Sequence, residues 1–491
     1  MTIVVALDAG TTGVRALAID ENSRVKGVSY RELTQYFPQP GWVEHDLDEI
    51  WSKIQTVIAE LMSSLDEPVA AIGITNQRET VAAWDSRTSK PRHRAIVWQD
   101  KRTAERCDRL ADHSSLIRST TGLVADPYFS GTKFEWLLNQ GGVEADEHLR
   151  LGTIDSWLIW NLTAGACHAT EPSNASRTML FDINELAWSA EMCELLGVPT
   201  RSLAQVRPSS GQFGVTADTT AFGSGIPISG AAGDQQASLF GHACFEPGMT
   251  KNTYGTGSFV VMNVGDTPPP VVDGLLSTVA WSLEGQPGAT YAYEGAIFVT
   301  GAAIQWLRDG LGIIETASQV GPLAASVEST GDVFMVPAFA GLGSPWWDSR
   351  SRGTIVGLTA GTGRAEIARA VVESMAYQTR DVIEVMTQAS GWSITELKVD
   401  GGASVMDLLL QIQADQLGVN VSRPQSEETT GFGAAYLAGL AAGVWSSKDE
   451  ISQAWSLDKS FIPTADRTTA DHLHQRWLEA LHRSKGWAAD S

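Results

Sequence analysis

Apolar positions along the chain alternate between strand-like runs and helical spacing. Ile3 to Leu7 is an unbroken apolar run, Asp8-Ala9-Gly10-Thr11-Thr12-Gly13 supplies turn residues, and Val14 to Ile19 is apolar again. That order predicts strand, tight turn, strand. Ile50, Trp51, Ile54, Ile58, Leu61 and Leu65 then recur at helical spacing behind an acidic start at Asp46 and Asp48. Val69 to Thr75 reads as a buried strand. Strands alternating with helices of this length predict an α/β fold.

The opening device returns about half a chain length later. Lys251-Asn252-Thr253-Tyr254-Gly255-Thr256-Gly257-Ser258 is a second Gly/Thr turn, followed by the apolar strand Phe259 to Asn263. Two halves that each present such a turn at a strand end suggest duplicated domains, 1–244 and 245–491, facing one another across a cleft. Ile226 to Ser229 predicts a strand, Gly230 to Gly233 a small-residue turn, and Gln235 to Phe240 a helix. Further on, helices are expected at Gly301 to Leu311 and Ala365 to Met386. A strand at Leu397 to Val399 should run into the turn Asp400-Gly401-Gly402-Ala403. In the tail, Leu473, Trp477, Leu478 and Leu481 mark one face of a last helix.

Composition narrows the function classes. The 491 residues include 43% hydrophobic and 19% charged side chains, ordinary for a packed globular chain, and carry a formal net charge of −22. Such a surface repels phosphate backbones and anionic headgroups, so neither nucleic acid binding nor membrane insertion is expected. The longest weakly polar run, Ala434 to Trp445, is too short to span a bilayer and suits a buried helix. No signal peptide is read at the N-terminus, and a cytoplasmic location is expected. Cys107, Cys167, Cys193 and Cys244 are scattered, which indicates neither a zinc cage nor a disulfide framework.

Candidate chemistry gathers at the turns. Glycine-rich turns at strand ends let backbone N–H groups approach an anion, and threonine hydroxyls add donors. Turns at Asp8 to Gly13, Gly255 to Ser258 and Asp400 to Ala403 therefore make a phosphate-binding cleft plausible, although any one alone also suits an ordinary connection. Asp8 beside a phosphate cradle makes sense if Mg2+ lies between them. Arg78 and Glu79 follow a buried strand directly; they are either an exposed loop ion pair or a donor and acceptor fixed for the neighbouring hydroxyls of a polyol. Asp234 is either a helix cap or a carboxylate that a ligand approaches. Neither a Walker loop nor a protein-kinase motif set is present. Gly431-Phe432-Gly433-Ala434 reads as small-residue helix packing rather than a dinucleotide fingerprint.

These residues together carry a resemblance. Asp8-Ala9-Gly10-Thr11-Thr12, Phe37 to Asp46, Asn76-Gln77-Arg78-Glu79-Thr80, Ile96 to Arg102, Tyr128 to Lys133, Gly152 to Trp160, Asn174 to Met179 and Gly353 to Leu358 stand in the order of a known family. The chain resembles the FGGY carbohydrate kinases, and among them the members that phosphorylate glycerol. The resemblance implies two actin-like (ribonuclease H-like) ATPase domains around a central cleft, and ATP-dependent phosphorylation of glycerol to sn-glycerol 3-phosphate. It implies that Arg78, Glu79, Tyr128, Asp234 and Gln235 bind the glycerol hydroxyls while Trp98 and Phe259 pack on its carbons. Thr11, Thr12, Gly13 and Arg15 are expected to hold the phosphates, with Thr256, Gly257, Gly301, Gln305 and Gly402 completing the nucleotide site. Asp234 would be the general base, and Asp8 with Asp234 would hold Mg2+. Glycerol and ATP are the expected partners, and a homodimer or homotetramer is the expected assembly.

The chain departs from the pattern at Ala9, Gly13 and Met406, where relatives commonly have Gln, Ser and an adenine-contacting Asn. At Gly225 it lacks the Arg of a sugar-bisphosphate inhibitory loop, so that regulation is not expected. Alternatives consistent with the sequence are a kinase of another small polyol or ketose, such as erythritol or dihydroxyacetone, and a non-catalytic actin-like nucleotide-binding regulator.

Overall fold

The computed structural model describes residues 2–488. Two mixed sheets organise the chain. In the first, Ile3–Ala9, Gly13–Asp20 and Val25–Glu32 form an antiparallel meander. Beyond Ile3–Ala9 the parallel strands Val69–Asn76 and Pro227–Gly233 follow. The second sheet repeats this wiring. Thr250–Tyr254, Ser258–Gly265 and Thr290–Ile297 are its meander, and Glu396–Asp400 and Asn420–Pro424 are its parallel extension. Counted along the chain, these five strands lie in the spatial order three-two-one-four-five in both sheets. Edge strands Ser210–Val215 on the first sheet, and Leu276–Trp281 and Leu457–Phe461 on the second, complete them. The two actin-like units expected from the resemblance are thus present as one topology used twice.

The first strand of each sheet is central, and in the first sheet this explains an unbroken apolar run. Ile3, Val4, Val5, Ala6 and Leu7 are all buried because helices cover both sheet faces. One cover is Leu47–Ser63, capped by Asp46, whose carboxylate accepts the Asp48 and Glu49 amides, with Ile50, Ile54, Ile58 and Leu61 on its buried face. The helices expected in the second half are Gly301–Asp309 and Arg364–Ser390, and the tail helix Arg467–Ser484 buries Trp477 and Leu481. All four cysteines are free and buried. Among the described residues no helix is long and apolar enough to cross a membrane.

The helix Thr429–Ala441 belongs to the second half of the sequence but packs on the first sheet, against Asp234–Gly241. Its glycines make that contact possible. A Cβ on Gly433 would lie 1.8 Å from the Ala237 carbonyl oxygen, and one on Gly241 would lie 2.0 Å from that of Thr429. The reading of Gly431 to Ala434 as small-residue helix packing therefore holds. The turn expected at Gly230 to Gly233 does not: those residues continue the strand Pro227–Gly233. Gly230 is needed for close approach, since a Cβ there would meet the Ala438 backbone nitrogen at 2.4 Å.

Candidate active site

The strand Val69–Asn76 ends in the loop that carries Arg78 and Glu79, and both side chains are buried. An exposed loop ion pair is thereby ruled out. Glu79 has a positive φ of 61°, an uncommon backbone state for a residue with a Cβ and one that cases like this concentrate at functional sites. Arg78 is the hub. Its guanidinium forks onto Glu294, with Nη2 3.1 Å from Oε1 and Nη1 against Oε2, and donates to the Gln236 side-chain oxygen at 3.2 Å and the Tyr128 hydroxyl at 3.3 Å. Its Nε lies 3.3 Å from Asp234 Oδ1, and Phe259 of the second sheet sits 5.7 Å beneath it. Glu79 accepts from Arg177 Nε at 2.6 Å. Trp98 stands edge-on to Tyr128 with ring centres 5.5 Å apart.

Asp234 is the first residue of its helix rather than its cap, since Gly233 occupies the cap position; its carboxylate accepts the adjacent Gln235 amide at 2.7 Å. The Gln235 side-chain oxygen in turn accepts a hydrogen bond from the buried Lys251 ammonium, which also donates to Thr253 Oγ1 at 2.8 Å. Arg78, Arg177 and Lys251 face Glu79, Glu294 and Asp234, so the cluster is balanced in charge. Burial pushes the Asp234 carboxyl up, opposed by Arg78 and Lys251. Burial would do the same to Glu294, but Arg177 and Arg78 overcome it and hold that carboxyl at about 2. Burial lowers the Lys251 ammonium to about 8. Trp98, Tyr128, Asp234 and Phe259 are only half-buried, so the cluster keeps an open face.

The first phosphate turn is the hairpin between Ile3–Ala9 and Gly13–Asp20, closed by Gly10 N–H donating to the Gly13 carbonyl at 3.0 Å. Trp98 Nε1 donates to Thr11 Oγ1 at 2.9 Å, which ties the turn to the aromatic wall. Thr12 is exposed. Gly13 leaves room for the Tyr30 ring, which a Cβ would strike at 2.4 Å. Arg15 is paired with Glu428, at the start of the helix Thr429–Ala441. Burial pushes the Asp8 carboxyl up to about 7; Arg15 opposes this, and Asp234 and Glu428 add to it by repulsion.

The second turn mirrors the first, with Gly255 N–H donating to the Gly257 carbonyl at 2.8 Å. Thr256 receives the amides of Thr300 and Ala302, both at 3.0 Å, which seats the N-terminus of Gly301–Asp309 on the turn. Thr256, Gly301, Gln305 and Gly402 line one cavity of about 700 Å³, a size suited to a nucleotide, with Met406 and Tyr254 also in its wall. Gly257 adjoins it in the turn, and its own space is filled: a Cβ would lie 2.3 Å from the Ile297 carbonyl oxygen. Gly401 has φ 86° and Gly402 faces open space.

A metal's donor set would be sparse. Among the described residues no group of three or more His, Cys, Asp or Glu side chains could hold an ion. Asp8 and Asp234, which repel one another, offer hard oxygens beside the phosphate turn. That suits Mg2+, which is commonly held by one or two carboxylates together with substrate phosphates.

The structure adds residues that the sequence reading passed over: Arg177, Lys251, Glu294 and Glu428. Glu294 left a signal, a lone carboxylate inside the otherwise uncharged strand Thr290–Ile297. His242 is buried against Asp400 at 3.2 Å, and Asp400 also accepts from Ser238 at 2.8 Å and from Thr429. This carboxylate joins the Asp234 helix, the third turn and the crossing helix.

Known proteins resemble the chain over nearly its whole length. The N-terminal domain of the FGGY family of carbohydrate kinases matches residues 3–241, and the C-terminal domain of that family matches residues 250–442. A glycerol kinase of Carboxydothermus hydrogenoformans is 53% identical over 99% of both chains, and glycerol kinase 2 of Thermotoga maritima is 52% identical over the same shares. The crystal structure of Plasmodium falciparum glycerol kinase with ADP superposes with a TM-score of 0.93 at 32% identity, covering 99% of this chain and 98% of that one. A xylulose kinase from Lactobacillus acidophilus shares the fold, with a TM-score of 0.88 at 21% identity and 99% of both chains covered. The chain belongs to the FGGY family of carbohydrate kinases.

Proposed function

We propose that this chain transfers the γ-phosphoryl group of ATP to a terminal hydroxyl of glycerol, giving sn-glycerol 3-phosphate and ADP. The observation that carries the reading is the buried Arg78–Glu79 pair beside Asp234, accompanied by a nucleotide-sized cavity built on the second Gly-Thr turn. The half-identity to full-length glycerol kinases supports it.

The mechanism follows from placement. Arg78, Tyr128 and Gln235 donate to or orient the glycerol hydroxyls, Glu79 accepts from one, and Trp98 and Phe259 pack on the carbons. Asp234 takes the proton of the attacking hydroxyl as its oxygen bonds to the γ-phosphorus and the bond to ADP breaks. Its raised affinity for protons suits that role. Thr11, Thr12, Gly13 and Arg15 hold the phosphates, and Thr256, Gly257, Gly301, Gln305 and Gly402 hold the rest of the nucleotide. Asp8 with Asp234 would hold Mg2+, which supplies positive charge against the phosphates. Residues 1–244 form the acceptor domain and residues 245–491 the nucleotide domain, and closure of the two excludes water. A cytoplasmic homodimer or homotetramer fits this reading.

The test is product analysis. Purified protein with Mg-ATP is offered glycerol, dihydroxyacetone, erythritol or xylulose, and phosphomonoesters are followed by phosphorus NMR. Glycerol 3-phosphate as the dominant product supports the reading. Product from another acceptor alone reassigns the substrate, and bound ATP with no product on any acceptor leaves a nucleotide-binding regulator.

A further inference from the structure

Arg78 and Glu79 come from the first sheet, yet their geometry is set by a residue of the second. Glu294 lies in the strand Thr290–Ile297, opposite Val261 and next to the Phe259–Ala296 pair, so Glu294 and Phe259 point from the same sheet face. Both reach Arg78. One Glu294 oxygen accepts from both Arg78 Nη2, at 3.1 Å, and Arg177 Nη2, at 2.8 Å, while the other accepts from Arg78 Nη1. Arg177 spends its Nε on Glu79 at 2.6 Å.

The four side chains therefore form a closed ring: Glu294 to Arg78 and Arg177, Arg177 to Glu79, and Glu79 back to Arg78 at 3.8 Å. Arg78, Glu79, Arg177 and Glu294 are each at most 2% exposed, so water cannot replace a missing member. Acceptors are the scarce component. Arg177 Nη1 finds no hydrogen-bond partner among the described residues even with both carboxylates present. Seven residues beyond Glu294 the same strand has led into Gly301, at the nucleotide cavity.

Resting on the function proposed above, we infer that Glu294 is a positioning residue for the polyol acceptor, acting with Arg177 to lock Arg78 and Glu79 in the rotamers that read its hydroxyls. It touches no reacting atom. Because Glu294 comes from the nucleotide half, the acceptor site is complete only when the two halves are docked at this strand. Removing the charge leaves Arg177 with Glu79 alone and Arg78 with Asp234 and the more distant Glu79, and the reading pair loses its fixed direction.

The test compares the wild type with Glu294→Gln, which keeps the shape, Glu294→Asp, which keeps the charge, and Arg177→Lys. Each is assayed for the KM of glycerol, the KM of ATP, kcat, and the kcat/KM ratio of glycerol to 1,3-propanediol, with thermal melting run beside it. The expected result for Glu294→Gln is a glycerol KM raised by about 10- to 100-fold and a reduced preference for glycerol over the diol, with the ATP KM within about threefold of wild type. Glu294→Asp should recover part of the loss, and it decides the matter if the glutamine variant does not fold. Unchanged glycerol KM and diol preference in a folded variant overturn the inference, as does a parallel loss in both substrates tracking lowered stability. Wild-type turnover on glycerol tests the function itself; if the wild type prefers another polyol, the inference stands or falls on that polyol's KM.

Discussion

Arg78 Nε lies 3.3 Å from Asp234 Oδ1, joining the end of one strand to the first turn of a helix that follows the neighbouring strand. The contact explains how a half-buried carboxylate is kept beside the place where a hydroxyl must lose its proton. Arg78 already spends its other donors on Glu294, Gln236 and Tyr128, so a bound polyol enters a network whose partners are all in place.

Such a site should punish a missing hydroxyl. Replacing glycerol by 1,3-propanediol leaves buried donors and acceptors unpaired and should lower kcat/KM by about 10⁴-fold, whereas one added methylene costs about 10- to 200-fold. Steady-state kinetics on the analogues checks this. Similar kcat/KM values for glycerol and the diol would contradict it.

Arg15 is expected to hold nucleotide phosphates, yet it is engaged by Glu428. Glu428→Gln removes a competitor for the guanidinium and a negative charge near Asp8. ATP binding measured by calorimetry should tighten by about two- to fivefold at low salt, the scale of a partly exposed ion pair. Weaker binding would mean that Glu428 holds Arg15 in its working position.

The contact between Asp234–Gly241 and Thr429–Ala441 has no room for a methyl group. Gly433→Ala must push the Ala237 carbonyl, 1.8 Å from the new atom, and should destabilise the fold by about 3 kcal/mol through forced separation of the helices. Denaturant melts report the loss. Activity should fall with it, since Asp234 opens the displaced helix.

Two histidines predict the acid limit of stability. Burial lowers His45 and His168 from 6.5 to about 4 each. His45 contacts Gln77 at 3.1 Å behind the first phosphate turn, and His168 packs against Trp84. Between pH 6.5 and 4 the unfolded chain binds protons that the native state refuses, so stability falls as pH is lowered through that window and is unaffected by these groups above it. His45→Gln or His168→Gln should flatten the fall in melting temperature between pH 7 and 5. Slopes equal to the wild type would assign the acid limit elsewhere.

Much of this was legible in the sequence because it is local. Gly-Thr turns between apolar runs mark hairpins wherever they occur, and both proved to be the first hairpin of a sheet. The Arg78–Glu79 pair is visible as two charges directly after a buried strand, but only their burial in the structure excludes an exposed loop ion pair. What stayed hidden is long-range. Glu294 meets Arg78 across 216 residues of chain and Arg177 meets Glu79 across 98, and no periodicity encodes such pairings. Gly230 to Gly233 misled for a related reason: glycine marks turns, but here it makes space for a helix that arrives two hundred residues later.

The most direct test is ADP release with Mg-ATP, with and without glycerol, in the wild type and Asp234→Asn side by side. The account predicts glycerol-dependent release in the wild type and a kcat lower by about 10²- to 10⁴-fold in the variant, with the ATP KM little changed. Release that ignores glycerol, or a variant that turns over at the wild-type rate, would contradict it.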